Sequence, residues 1–161
     1  LNENDIGDFK TFLKVSPPLR LEDDRLALVE GIKNGLIDVI VSDHTPEDEE
    51  GKRLPFAQAA TGAIGIETLL PLALEMHHNE SLPLKKIIET LTINPAKILK
   101  INKGTLKQGS DADMCVFNLD KPWVIKADLL KSKSKNTAVE ERKVQGKVLM
   151  TFLNGELVFK S

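Results

Sequence analysis

Apolar and polar positions along the chain fall into short blocks, and the rhythm of the blocks changes after residue 104. Thr11-Phe12-Leu13-Lys14-Val15-Ser16 is a brief apolar run that stops at Pro17-Pro18. It predicts a strand ending there, because proline cannot continue a ladder. Glu22-Asp23-Asp24 then places three acids where a helix N-terminus favours negative charge. Leu28, Val29, Ile32 and Leu36 keep helical spacing, and Gly35 stands where such a helix would stop. Ile37-Asp38-Val39-Ile40-Val41-Ser42 is short, β-branched and nearly all apolar, which predicts a strand buried on both faces. Residues 12–42 therefore spell strand, helix, strand, with the second strand expected parallel to the first.

Residues 43–62 form a long polar loop at the carboxyl end of the second strand, where loops of this length are commonly either functional or disordered. A helix is predicted from about Ile64 to His78. A shorter one starts near Pro83, and another at Asn94-Pro95, with Asn as the cap and Pro at the first helical position. After Gly104 the pattern turns to strands: Met114 to Phe117, Trp123 to Ile125, and two runs flanking Asn154-Gly155. Asn-Gly between apolar runs is a strong hairpin signal. The chain thus divides into an α/β region at 1–103 and a small all-β region at 104–161. One strand–helix–strand unit followed by three helices cannot cover both faces of a parallel sheet. The first region reads as the last part of a larger α/β domain.

Composition narrows the class. Of 161 residues, 41% are hydrophobic and 29% charged, ordinary for a globular protein. The 22 Lys+Arg against 24 Asp+Glu give a net charge of −2, no basis for expecting a nucleic-acid partner. No apolar run is long enough for a membrane span. The acidic start, with Glu3, Asp5 and Asp8, does not read as a signal peptide. The single cysteine, Cys115, excludes an internal disulfide and fits a reducing cytoplasm. Acids concentrate early and bases late, which suits two differently solvated surfaces or a complementary contact.

Few residues offer chemistry by themselves. Asp43 follows the second predicted strand, where such strands deliver catalytic groups. A carboxylate there can bind a metal or take a proton; equally, it can cap a turn. His44 reads as a packing or supporting residue, and His77 and His78 as cations suited to a helix C-terminus. Cys115 is expected to be buried in its strand. Gly62-x-x-Gly65 could let backbone amides approach an anion, or simply make a tight turn. The basic run Lys131-Ser132-Lys133-Ser134-Lys135 lacks aromatics and reads as a solvated loop.

Taken together, these elements resemble a known family. Lys14-Val15-Ser16-Pro17-Pro18-Leu19-Arg20, Asp23-Asp24-Arg25 and Ile37 to Pro46 are similar to the last two barrel strands of bacterial class I dihydroorotases. Lys52-Arg53-Leu54-Pro55-Phe56-Ala57 and Gly62-Ala63-Ile64-Gly65-Ile66-Glu67-Thr68 continue the likeness. Thr92-Ile93-Asn94-Pro95-Ala96-Lys97-Ile98-Leu99, with Gly104, Gly109 and Ala112-Asp113, resembles the carboxyl-terminal signature of the wider amidohydrolase superfamily.

The resemblance implies the carboxyl-terminal portion of a (β/α)8 TIM barrel plus a small β-sandwich. It implies a cytoplasmic enzyme interconverting N-carbamoyl-aspartate and dihydroorotate in pyrimidine biosynthesis. Zinc, one or two ions, is the implied cofactor, with most ligands outside this chain. Asp43 matches the metal-binding aspartate that also serves as general base and acid. Ser16, Glu47, Thr61 and Gly62 fall at substrate-binding positions. Three depart from the family: asparagine is usual at Ser16, histidine at Glu47 and phenylalanine at Thr61. A glutamate at position 47 would repel a carboxylate substrate. Besides the substrate, the implied partners are the amino-terminal part of the barrel and a second copy or aspartate carbamoyltransferase. The rival reading is a non-catalytic homologue acting as a structural or regulatory partner of that transferase. A weaker one is a cyclic amidohydrolase whose substrate lacks the carboxylate.

Overall fold

A computed structural model describes residues 1–80 and 82–161. Five α-helices and three strands follow one another: α1 (Glu22–Lys33), α2 (Glu49–Arg53), α3 (Leu69–Glu80), α4 (Leu84–Leu91), α5 (Ile93–Ile98), β1 (Met114–Val124), β2 (Lys143–Leu153) and β3 (Glu156–Lys160). Their contacts define two compact units assembled from distant segments. The first comprises Leu1–Asn34, Ser42–Leu69 and Val124–Arg142; the second comprises Gly35–Val41, Leu70–Trp123 and Lys143–Ser161.

In the first unit, α1 begins where the acids announce it, with Glu22, Asp23 and Asp24 in its first turn and Lys33 in its last. Charges of both signs thus complement the helix dipole. Val29 and Ile32 are buried, whereas Leu28 and Leu36 of the same apolar spacing stay exposed. The core of this unit also holds Leu13, Ile64, Ile125, Leu130 and Val139.

The strands expected on either side of α1 are corrected. Thr11–Leu13 is a single 3-10 turn, and residues 37–42 join no ladder among the described residues. The reason lies in where the backbone groups are spent. The Lys14 carbonyl receives the Gly62 N–H at 3.0 Å, while the Ile40 N–H donates to the Thr90 carbonyl at 3.2 Å. The Asp38 carbonyl accepts the Asn94 side-chain amide at 2.9 Å. Each segment is extended or turned, but its partners are loops and helix ends.

Two other boundaries shift for similar reasons, and a short helix stands where the sequence predicted only loop. The helix expected from Ile64 starts only at Leu69, because His44 bridges Ala63 and Ile64 bridges Thr137 as isolated parallel pairs. Within the long polar stretch, Asp48 caps the short α2 by accepting from the Gly51 N–H. α5 starts at Ile93 rather than after an Asn94 cap, since the Asn94 amide is engaged with Asp38.

In the second unit, α4 starts behind Pro83 as expected and turns Ile87 and Thr90 inward. β1, β2 and β3 form one sheet in that order. β1 is a single strand through Val124, where two had been expected, and the Trp123 indole N–H donates to the Gly146 carbonyl of β2 at 3.1 Å. Cys115 is exposed, contrary to expectation, as are its neighbours Met114 and Val116. The β2–β3 hairpin forms as the Asn-Gly signal predicts, antiparallel, with Leu153 opposite Glu156. Asn154 and Gly155 have φ of 51° and 84°, the pair of positive angles that a two-residue type I′ turn requires. No helix among the described residues is long and apolar enough to cross a membrane.

Glycine reaches the second of these angles without a Cβ penalty, and alanine does not. Gly155→Ala is expected to lower stability by about 1–2 kcal/mol, read as a lower denaturation midpoint at an unchanged m-value. An unchanged midpoint would mean that the turn does not set the hairpin.

Candidate functional site

The segments singled out from sequence meet within the first unit. Residues 37–42 lead into Asp43, which is exposed and has φ of 42°, a left-handed angle uncommon for any residue but glycine. The turn is closed by the Thr45 hydroxyl, which donates to the Asp43 carbonyl at 3.1 Å. His44 faces the glycine turn. Its Nδ1 accepts the backbone N–H of Gly65 at 3.0 Å and of Ile66 at 3.4 Å. Two donors on one lone pair fix Nδ1 as the acceptor, so the ring's proton sits on Nε2. His44 is thus a brace under Asp43, consistent with its expected supporting role.

Gly62 is buried with φ of 141°, and a Cβ there would stand 2.6 Å from the Thr45 Cγ2. Only glycine lets the Thr45 side chain pack this closely on the backbone at position 62. Its neighbour Thr61 is exposed, Glu47 is half-buried, and Ser16 lies exposed two residues beyond the Lys14 carbonyl that holds the Gly62 N–H. The backbones of 14–16, 43–47 and 61–65 are therefore brought together. His77 and His78 belong to the second unit, in the last turn of α3, where the His77 Nδ1 pairs with the Leu82 carbonyl at 2.8 Å.

Two residues given no role from sequence hold this arrangement. Asn136 is 2% exposed. Its Nδ2 donates to the carbonyls of Thr45 at 3.0 Å and Gly62 at 3.3 Å, and its Oδ1 accepts the Glu47 N–H at 3.2 Å. It lies 89 residues from Glu47, just past the basic run, and no local pattern marks it.

Lys52 is 1% exposed, exceptional for a lysine. Its Nζ donates to the carbonyls of Thr11 and Lys14, both at 3.2 Å, and of Ala60 at 2.9 Å. In return, the Thr11 hydroxyl donates to the Lys52 carbonyl at 2.5 Å. Burial pushes the Lys52 ammonium below its ordinary value, the negative charge of Glu47 works against that shift, and the positive charge of Lys14 adds to it. Lys14 in turn spans the same loop, donating to the carbonyls of Ala57 and Ala59 at 2.9 and 2.8 Å.

Among the described residues no group of three or more His, Cys, Asp and Glu side chains could hold a metal ion. Asp43 offers one carboxylate, and the Nδ1 of His44 is occupied by backbone donors. These residues do not fit a metal centre by themselves.

The amidohydrolase family profile matches residues 10–158. The chain belongs to the amidohydrolase family. Its relatives within that family sharpen the comparison. The chain is 44% identical over its whole length to a dihydroorotase of Ehrlichia chaffeensis, covering 36% of that protein. It is 44% identical over 147 residues to a dihydroorotase of Aquifex aeolicus, covering 91% of this chain and 35% of that one. Among solved structures it resembles an L-hydantoinase (dihydropyrimidinase) from Arthrobacter aurescens, with a TM-score of 0.89 at 33% identity, covering 99% of this chain and 37% of that one. The chain thus spans little more than a third of the length of these amidohydrolases.

Removing the Lys52 ammonium leaves the Ala60 carbonyl without its donor. Lys52→Met is expected to cost about 1–3 kcal/mol, the desolvation penalty of a buried unpaired acceptor, measured by chemical denaturation. The pH dependence has a defined sign. Folding lowers the Lys52 pKa from 10.5, so just below that pH the unfolded chain binds more protons, and stability rises with pH there. The margin of wild type over Lys52→Met should therefore widen as pH approaches 10.5 from below. A constant margin would contradict the buried ammonium.

Proposed function

We propose that this chain is the carboxyl-terminal part of a dihydroorotase, with residues 1–103 completing its barrel and 104–161 contributing to a small β-sandwich. The observation that carries this reading is the chain-long likeness to dihydroorotases at 44% identity, well above the 33% shared with the hydantoinase. The reaction opens the dihydroorotate ring to N-carbamoyl-aspartate, or closes it in reverse. In the opening direction, Asp43 accepts a proton from the water that attacks the ring amide carbon. As the carbon–nitrogen bond breaks, Asp43 returns that proton to the leaving nitrogen. The exposure of Asp43 and the bracing of its turn by His44 and Thr45 suit a group that must meet substrate without moving. Ser16, Glu47, Thr61 and Gly62 form the substrate side of the site. Zinc is the proposed cofactor, its chemistry being the polarisation of the amide and activation of water; most of its ligands would come from outside this chain.

Glu47 is the feature that favours a second reading, a non-catalytic homologue acting as partner of aspartate carbamoyltransferase. An acid where a substrate carboxylate should sit opposes binding. Its charge is nevertheless favourable to the Lys52 ammonium, which gives the acid a role beside the substrate side of the site, and the catalytic reading keeps precedence.

The intact protein should turn over dihydroorotate, and Asp43→Ala should reduce kcat by about 10²–10⁴-fold or more. Glu47→His should lower KM by about fivefold, the equivalent of roughly 1 kcal/mol of relieved repulsion. An intact, zinc-loaded protein with no turnover would overturn the catalytic reading, and co-purification with aspartate carbamoyltransferase would then test the other. A separate expectation concerns metal. The isolated chain should bind zinc weakly or not at all in calorimetry, and a stoichiometric site of submicromolar affinity would contradict the assignment of ligands elsewhere.

A further inference from the structure

We propose that Asn136 is a positioning residue for substrate binding, whose side-chain amide sets the spacing between the Thr45–Glu47 segment and the Gly62 turn. The inference rests on the dihydroorotase reading above.

One carboxamide makes three bonds to these two segments, two as donor and one as acceptor. The Asn136 backbone carbonyl adds a fourth contact, accepting the Ile64 N–H at 3.2 Å. No other side chain of this length offers two donors and an acceptor together. Aspartate lacks the donors, serine has one, and glutamine is longer by a methylene. Because Asn136 is buried, water is poorly placed to replace bonds that are lost.

The bonds are also distributed unevenly over the site. They reach Thr45, Glu47 and Gly62, whereas the Asp43 turn is closed by the Thr45 hydroxyl and braced by the His44 ring on Gly65 and Ile66. Loss of the carboxamide should therefore loosen the substrate side of the site more than the proton-transferring carboxylate. In kinetic terms it should raise KM and leave kcat nearly unchanged. A residue that merely stabilised the fold would lower the amount of active enzyme, and with it the apparent kcat, without moving KM.

The test uses the intact protein with Asn136→Ala and the nearly isosteric Asn136→Asp, reading steady-state kinetics on dihydroorotate and amide hydrogen exchange. Both variants should raise KM by about tenfold or more with kcat within about threefold of wild type. Exchange at the Glu47 amide should accelerate by at least about tenfold in Asn136→Ala, and stay slow in Asn136→Asp, which keeps the acceptor. Should Asn136→Ala fail to fold, Asn136→Asp carries the kinetic test. An unchanged KM, or a fall in kcat as large as the rise in KM, would overturn the proposal. If wild type has no turnover, the dihydroorotase reading fails separately. Exchange then decides: acceleration confined to residues 45–47 and 62–64 supports the positioning role, and unchanged Glu47 exchange overturns it.

Discussion

The Lys52 ammonium has three N–H donors and satisfies them on three carbonyl oxygens, those of Thr11, Lys14 and Ala60. Burying such a group costs several kcal/mol unless its hydrogen bonds are all made. The loop from 47 to 62 and the segment from 11 to 16 are arranged so that all three are made. That constraint sets the path of both segments. It fixes the Lys14 carbonyl for the Gly62 N–H, and Gly62 is in turn where a Cβ would collide with Thr45. Lys52, Gly62, Thr45 and Asn136 form one connected set of contacts, and the Asp43 turn beside it has its own closure in the Thr45 hydroxyl and the His44 ring.

What could be read from the sequence was local. The acids that open α1, the proline before α4 and the Asn-Gly turn of the hairpin each act within a few residues of themselves, and each took its expected place. The strands expected on either side of α1 were misjudged because a ladder needs a partner. The apolar, β-branched character of residues 37–42 says how the chain extends and not what it pairs with. Here the Ile40 N–H found Thr90, and the Asn94 amide found the Asp38 carbonyl instead of capping its own helix. Cys115 shows the same limit: an apolar strand residue is buried only where something covers its face.

The candidate site divides along the same line. Asp43 and Gly62 could be picked out, the first by its place after an apolar run and both by family resemblance. Their supports could not. Asn136 reaches across 74 to 91 residues to its partners, and Lys52 reaches across 38 to 41 residues to Lys14 and Thr11. A buried lysine looks like any surface lysine in a sequence, and an asparagine after a basic run looks like loop. Both are recognisable only by burial combined with fully used hydrogen-bonding capacity.

Glu47 joins the two supports and gives its unusual chemistry a physical context. Its backbone N–H is held by Asn136, and its carboxylate charge favours the Lys52 ammonium against the cost of burial and the repulsion from Lys14. The same negative charge therefore has two consequences. Through its field it favours the cation that ties the loops together. Towards a carboxylate substrate, on the proposed reading, it is repulsive. A histidine at this position would relieve the second effect and forfeit the first. Substrate affinity and loop stability are then coupled through one side chain with opposite sign, the form of trade-off expected where a functional site is held together by its own charges.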